Sequence, residues 1–154
     1  MNWLRQLLEL LLKTLPPPKP DPPPGPPPGG TVGLLLELHN VERQKYGLSS
    51  LQANQALEKA AQSHALWMSE HKSLTHFPPQ GGPSDRVKAF GYTGPVGENI
   101  AWNYTNERDV FDGWMRSSGH RANILGSRWV NVGFGVADAS PGDPSDKYWC
   151  VIFG

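Results

Sequence analysis

Two short polar stretches decide the fold of this chain, Gly97-Glu98-Asn99-Ile100 and Gly119-His120-Arg121-Ala122-Asn123-Ile124. Each places an ionisable side chain beside a glycine and ahead of an apolar residue, so that the charged group can lie at the end of an element instead of inside the core. His76 is the last histidine before both stretches.

The composition limits the class of protein. The chain has 154 residues, enough for one domain and an appendage. Its 14 basic and 14 acidic side chains cancel, and this balance excludes the basic surface of a nucleic-acid-binding protein. Cys150 is the only cysteine, so no intrachain disulfide can form, and its apolar surroundings in the sequence are typical of a small buried side chain.

The first thirty residues form the predicted appendage. Residues 1–15 repeat leucine at helical spacing, which predicts an amphipathic anchor or docking helix. Such a short helix needs a partner, and we expect another protein or further copies of this chain. Charged residues interrupt the stretch, so it is not a recognisable signal peptide. At fifteen residues it is also too short to span a membrane. Residues 16–30 hold most of the sixteen prolines and predict a stiff polyproline linker with a reach of about 45 Å.

A compact domain is predicted from Thr31 to Gly154. In the first helix Thr31 is the expected N-cap, and the expected inner face consists of Leu34, Leu35, Leu38 and Val41. Helices come mainly first and strands last, which favours an α+β fold, a three-layer arrangement with a small antiparallel sheet. The predicted elements are a helix from Thr31 to about Tyr46, a helix capped by Asn54, a short helix over Ser84 to Phe90, a strand over Gly97 to Trp102, a helix over Asn106 to Arg116, a helical turn carrying His120, and paired strands over Asn131 to Ala137 and Lys147 to Phe153.

In this order, the motifs resemble those of the CAP superfamily (SCP domain), in particular its bacterial branch without disulfides. The resemblance covers residues 31–154 and implies an α-β-α sandwich with a shallow cleft. Its most specific elements are the two opening stretches and Trp114-Met115-Arg116-Ser117. The further stretches are His39-Asn40-Val41-Glu42-Arg43, Ala60-Ala61-Gln62-Ser63-His64-Ala65, Thr75-His76-Phe77, Arg86 with Gly91-Tyr92, and Gly133-Phe134-Gly135-Val136.

The resemblance implies a cleft in which two histidines and two glutamates sometimes hold a divalent metal. His76, Glu98 and His120 match this set, but Ser117 stands where the second glutamate is expected. The first helical turn disfavours a charged imidazole at His120, and the neutral form is the one that binds zinc. Glu98 cannot be both a metal ligand and the general base. We therefore expect a weak site for a divalent metal such as zinc, or for a polar ligand, in preference to catalytic turnover. His39 and His64 lie among apolar neighbours and are expected to be structural.

Three functions remain open at this point. The leading interpretation is an extracytoplasmic binding module on a stiff stalk, recognising a cell-wall, glycan or lipid component, with an extracellular location implied by the resemblance. An alternative is a structural or attachment component of a larger assembly, such as a phage virion or a contractile injection machine, because of the anchor-and-spacer layout. A further alternative is a metal-assisted hydrolase that uses His76, Glu98 and His120.

Overall fold

The computed structural model describes residues 30–140 and 143–154. The predicted helix of residues 1–15 and all but the last residue of the predicted linker 16–30 lie outside this part of the chain. The described elements, in chain order, are α1 (Thr31–Lys45), β1 (Gln52–Ala53), α2 (Gln55–His71), α3 (Pro83–Ala89), β2 (Gly97–Trp102), α4 (Glu107–Arg116), α5 (Ser118–Ile124), β3 (Asn131–Ser140) and β4 (Asp143–Phe153).

The four strands form one sheet in the order β1-β3-β4-β2, which makes β2 an edge strand. β4 pairs antiparallel with both of its neighbours, β2 and β3. The two-residue strand β1 pairs parallel with β3, an addition to the expected antiparallel sheet. Two residues are too few to show the alternating pattern by which strands are predicted.

The sheet lies between two helical layers, so the predicted three-layer α+β fold is confirmed. On one face, side chains of α1, α4 and α5 form a core with the sheet that includes Leu35, Trp114 and Trp149. On the other face, α2 and α3 cover a second core that includes Met68 and Ile100. Alternation along β2, β3 and β4 divides their buried side chains between the two cores, as a sheet buried on both faces requires.

The inner face of α1 differs from the prediction. Leu34 and Val41 are 42% and 48% exposed, and the buried side chains are Leu35, His39 and Arg43. This stripe has the regular i, i+4, i+8 spacing, but two of its three members are polar. They are tolerated because each finds backbone acceptors: the His39 ring bonds to Leu35 O at 2.8 Å, and Arg43 reaches four carbonyls.

The N-caps were partly predictable. The side chain of Asn54 accepts hydrogen bonds from two backbone N–H groups at the start of α2, and that of Asn106 accepts one at the start of α4. The expected cap at Thr31 is wrong, because α1 begins one residue earlier than anticipated. Its N-cap is Gly30, whose φ of 81° suits glycine, and no side chain caps this helix.

Two glycines of β3 allow α2 to lie directly against the sheet. A Cβ atom at Gly133 would be 2.2 Å from the backbone carbon of Leu57, and one at Gly135 would be 2.3 Å from that of Ala61. Any side chain here would displace the helix that covers the second core. The glycines therefore fix the spacing between these two layers.

Burial of His39 makes stability depend on pH. Burial, partly opposed by the bond to Leu35 O, lowers the pKa of His39 from 6.5 to about 4. The folded state therefore favours the neutral ring, and its stabilisation is complete above pH 6.5 and is lost as the pH falls towards 4. We expect this residue to account for a loss of about 3 kcal/mol in the free energy of unfolding over that interval.

The check is urea denaturation at several pH values for the wild type, His39→Gln and, as control, His71→Ala. His71 is exposed, whereas glutamine at position 39 cannot titrate. The slope of stability against pH should be smaller in His39→Gln than in the other two proteins. Equal slopes in all three would contradict the assignment.

Candidate functional site

Glu98 is the centre of the site. It lies in the edge strand β2, on the face covered by α2 and α3, and its side chain is 2% exposed. One carboxylate oxygen, Oε1, is 2.8 Å from His76 Nδ1. The other, Oε2, accepts a hydrogen bond from Arg86 Nη2 and lies 3.5 Å from the buried Cys150 Sγ. Both oxygens of this carboxylate are therefore bonded to the protein's own side chains.

These contacts keep Glu98 ionised. Burial alone would raise the pKa of its carboxyl group, but the hydrogen bond from His76 and the charge and hydrogen bond of Arg86 lower it below the ordinary value. An ionised carboxylate only accepts hydrogen bonds, so His76 Nδ1 carries the proton. In the neutral ring Nε2 is then an acceptor, and the His76 side chain is 39% exposed.

Arg86 belongs to the site, although no sequence pattern predicted a role for it there. It lies in α3, and Nη1 also donates to the carbonyls of His76 and Gly81, both at 3.1 Å. Its side chain is only 9% exposed, so it is held within the protein by the carboxylate and these carbonyls. A buried carboxylate in a strand predicts that some cation must pair with it, but local patterns do not identify which one.

Two asparagines hold His120 close to this group. Asn99 Nδ2 donates to His120 O at 3.0 Å, and Asn123 Nδ2 donates to Asn99 Oδ1 at 2.8 Å and to Glu98 O at 3.1 Å. The polar stretches 97–100 and 119–124 are thus joined by their own asparagine side chains. This bridge attaches α5, which carries His120, to β2.

The imidazole of His120 is half-buried, which favours its neutral form. Burial lowers its pKa, and His76 in its protonated form lowers it further, in the same direction as the expectation from sequence. No side chain or backbone group of residues 30–140 and 143–154 hydrogen-bonds to its ring nitrogens. We call His76, Arg86, Glu98 and His120 the cleft cluster.

The family model named CAP, the cysteine-rich secretory protein family, matches residues 36–153. The chain belongs to this family. It is 37% identical over 107 residues to the uncharacterised protein YkwD of Bacillus subtilis, and 35% identical over 105 residues to the membrane protein YlbC of the same organism. These matches cover 68% and 66% of this chain but only 42% and 30% of the two relatives.

Solved structures have the same CAP fold. An extracellular protein with an SCP domain from Bacillus anthracis has a TM-score of 0.70 at 28% identity, covering 78% of this chain and 38% of that one. An outer surface protein of Borrelia burgdorferi has a TM-score of 0.72 at 20% identity, covering 79% of this chain and 89% of that one. Among the described residues of the present CAP domain, no helix has the length and apolar character needed to cross a membrane.

The cleft cluster of this CAP domain does not fit a three-ligand metal site. Within the described ranges, no three His, Cys, Asp or Glu side chains are grouped so that they could hold a metal ion. Both oxygens of Glu98 are already bonded, and the Arg86 cation lies where it would repel a second positive charge. Ser117 joins α4 to α5, and its side chain caps neither helix. The zinc site from the sequence analysis remains a prediction.

The other histidines of the CAP domain lie outside the open part of the cleft. His64 is buried in α2, and its Nε2 is 2.8 Å from Thr75 O, so it holds the loop that carries His76. His39 lies in the opposite core among aromatic rings. Beside His76, in contrast, Phe77 is 75% exposed, with the two ring centroids 6.4 Å apart. Neither the exposed Phe77 nor the asparagine bridge was assigned from sequence.

Proposed function

We propose that this CAP domain is an extracytoplasmic binding module for a hydroxyl-rich glycan of the cell wall, and that it binds this ligand without hydrolysing it. The observation that carries the proposal is the engagement of both Glu98 oxygens by His76 and Arg86. A carboxylate held in this way orients an imidazole. Its side chain is also only 2% exposed, so its oxygens are poorly placed to take a proton from a water molecule in the open part of the site.

The exposed groups of the cluster suit a neutral polar ligand. In its neutral form His76 offers an acceptor at Nε2, because its Nδ1–H is bonded to Glu98, whereas a neutral His120 offers one donor and one acceptor. The charges of Arg86 and Glu98 cancel beneath them. Sugar hydroxyls both donate and accept, so they pair with such rings. The exposed Phe77 ring supplies an apolar face on which the C–H face of a sugar can stack.

The location rests on a relative. The Bacillus anthracis protein, which is 28% identical to this chain, is described as extracellular. We extend that location to the present domain, and with it the proposal that the cell wall supplies the ligand. The lipid ligand, the larger assembly and the hydrolase receive no specific support from the cleft cluster.

The test is co-sedimentation of the full chain with purified, insoluble peptidoglycan in the presence of a metal chelator. We expect saturable binding that becomes at least tenfold weaker, or about 1.4 kcal/mol, in the double variant His76→Ala/His120→Ala. The loss follows from removal of both imidazoles that face the ligand. Soluble sugar fragments should not accumulate during the incubation.

His71→Ala is the matched control, because this exposed histidine is bonded to Trp67 O and takes no part in the cluster. It should bind peptidoglycan like the wild type. Equal binding by the double variant and the control would overturn the proposal, as would a steady release of fragments by the wild type that the double variant lacks. If the wild type binds peptidoglycan only when the chelator is left out, binding depends on a metal ion and the proposed metal-free mode of binding is wrong.

A further inference from the structure

A second concave site lies on the same face of the sheet. It is a pocket of about 440 Å³, and the side chains that matter here are Lys72, Leu74, Trp102, Asp146 and Tyr148. We call it the Trp102 pocket. Trp102 is 48% exposed and stacks on the buried Tyr148, with the ring centroids 6.0 Å apart and the planes inclined by 19°. The pocket thus has a rigid aromatic wall that is half open to solvent.

The pocket also contains a carboxylate oxygen that lacks a hydrogen-bond donor. Asp146 Oδ1 is buried and has no hydrogen-bond partner in the described part of the chain. A buried acceptor without a partner costs free energy, which a ligand that donates a hydrogen bond would recover. Burial raises the pKa of Tyr148, and the negative charge of Asp146 raises it further, as expected for two side chains that line the same pocket. An aromatic wall beside a carboxylate acceptor and the Lys72 ammonium suits a sugar ring with its hydroxyls.

Strand β2 connects this pocket to the cleft cluster. Glu98, Ile100 and Trp102 alternate with their neighbours and so point to the same face of the sheet. Their partners on β4, namely Ile152, Cys150 and Tyr148, belong to the core on that face. Four residues of strand place Trp102 about 13 Å from Glu98.

The segment from Lys72 to Phe77 runs beside the same edge. Lys72 and Leu74 line the Trp102 pocket, whereas His76 bonds to Glu98. One loop and one strand therefore contribute to both sites, and they run in opposite directions: the loop leads from the pocket to the cluster, and the strand leads from the cluster to the pocket. A chain-like ligand that lies along this edge would contact both.

We propose that the Trp102 pocket is a second sugar subsite, so that the domain binds an extended glycan chain along β2 and not a single terminal sugar. This inference rests on the proposed function and specifies its ligand as a linear oligosaccharide. Trp102 stacks on one sugar ring and Asp146 accepts a hydroxyl hydrogen bond from it, while His76 and His120 bind another part of the same chain.

The test uses soluble N-acetylglucosamine oligomers as probes, in calorimetric titrations of the full chain. The hexamer should bind at least tenfold more tightly than the dimer, because only the longer chain reaches both sites. In Trp102→Ala this preference should disappear, and in Asp146→Asn it should shrink. Phe90→Ala is the matched control, because this ring is 41% exposed and belongs neither to the Trp102 pocket nor to the cleft cluster. Circular dichroism and thermal unfolding verify that each variant is folded.

The outcomes separate the two proposals. If His76→Ala/His120→Ala weakens hexamer binding while Trp102→Ala and Asp146→Asn leave it unchanged, the second subsite is overturned and the proposed function stands. If Trp102→Ala removes hexamer binding while the double histidine variant retains it, a ligand spanning both sites is overturned and the proposed function fails with it. No binding of the hexamer by the wild type overturns the extended subsite, and peptidoglycan sedimentation then decides the proposed function independently.

Discussion

Replacing Arg43 with leucine is expected to lower the free energy of unfolding by about 4 kcal/mol. The Arg43 side chain is fully buried in α1, and its guanidinium group donates to the carbonyls of Ser49, Ile124, Gly126 and Trp129 at 2.9 to 3.3 Å. Leucine fills part of the volume but donates nothing. It would leave four carbonyls without their donor, and at least two of those hydrogen bonds are buried.

Urea denaturation followed by tryptophan fluorescence measures the effect. Arg116→Leu is the matched control, since Arg116 is exposed at the end of α4 and its loss should change the free energy of unfolding by less than about 0.5 kcal/mol. A lysine at position 43 should recover only part of the loss, because one ammonium group cannot span the same carbonyls. Similar midpoints for Arg43→Leu and Arg116→Leu would contradict the role given to the guanidinium.

Replacing Gly135 with valine should destabilise the domain by at least about 3 kcal/mol. The new Cβ would lie 2.3 Å from backbone atoms of Ala61 and Gln62 in α2, and backbone cannot move aside as a flexible side chain can. Relief requires α2 to move away from β3, which opens the core around Met68. The expected result is a lower denaturation midpoint together with increased binding of a hydrophobic dye.

Gly119→Ala is the control for this substitution. No atom lies within 4 Å of a Cβ at Gly119, which is in the helix α5. Alanine is the better helix former, so this variant should be as stable as the wild type or slightly more stable. A Gly135→Val protein with wild-type stability would mean that the two layers are not in close contact.

Most helices and strands could be predicted from the sequence, because the hydrophobic periodicity and the capping residues indicated the same elements. The strand over Gly97–Trp102 is found with the predicted bounds, and Asn54 and Asn106 begin helices as expected. Among the candidate site residues, the structure brings His76 and Glu98 into direct contact and attaches His120 through an asparagine bridge. Glycine and asparagine are informative in such stretches because their backbone and capping preferences act locally.

What local patterns missed depends on distant parts of the chain. Hydrophobicity placed Val41 in the core, but the packed stripe of α1 contains Arg43, three of whose four acceptors lie more than eighty residues away. Arg86 was likewise not recognised as the partner of Glu98, because nothing in the sequence near either residue indicates the pairing. The Trp102 pocket is formed by residues from β2, β3, β4 and the loop after α2, and the register of the sheet brings the strand residues together.

The pairing of Arg86 with Glu98 also affects how the cleft would respond to its surroundings. Since the two charges neutralise each other beneath the surface, the open part of the cleft presents no net charge while its histidines are neutral. Such a site neither attracts ions over long distances nor loses affinity when dissolved salt screens charges. If the domain acts outside the cell, as proposed, it meets water of widely varying salinity. This internal neutralisation would then allow it to hold the proposed uncharged ligand equally well in dilute and in concentrated media.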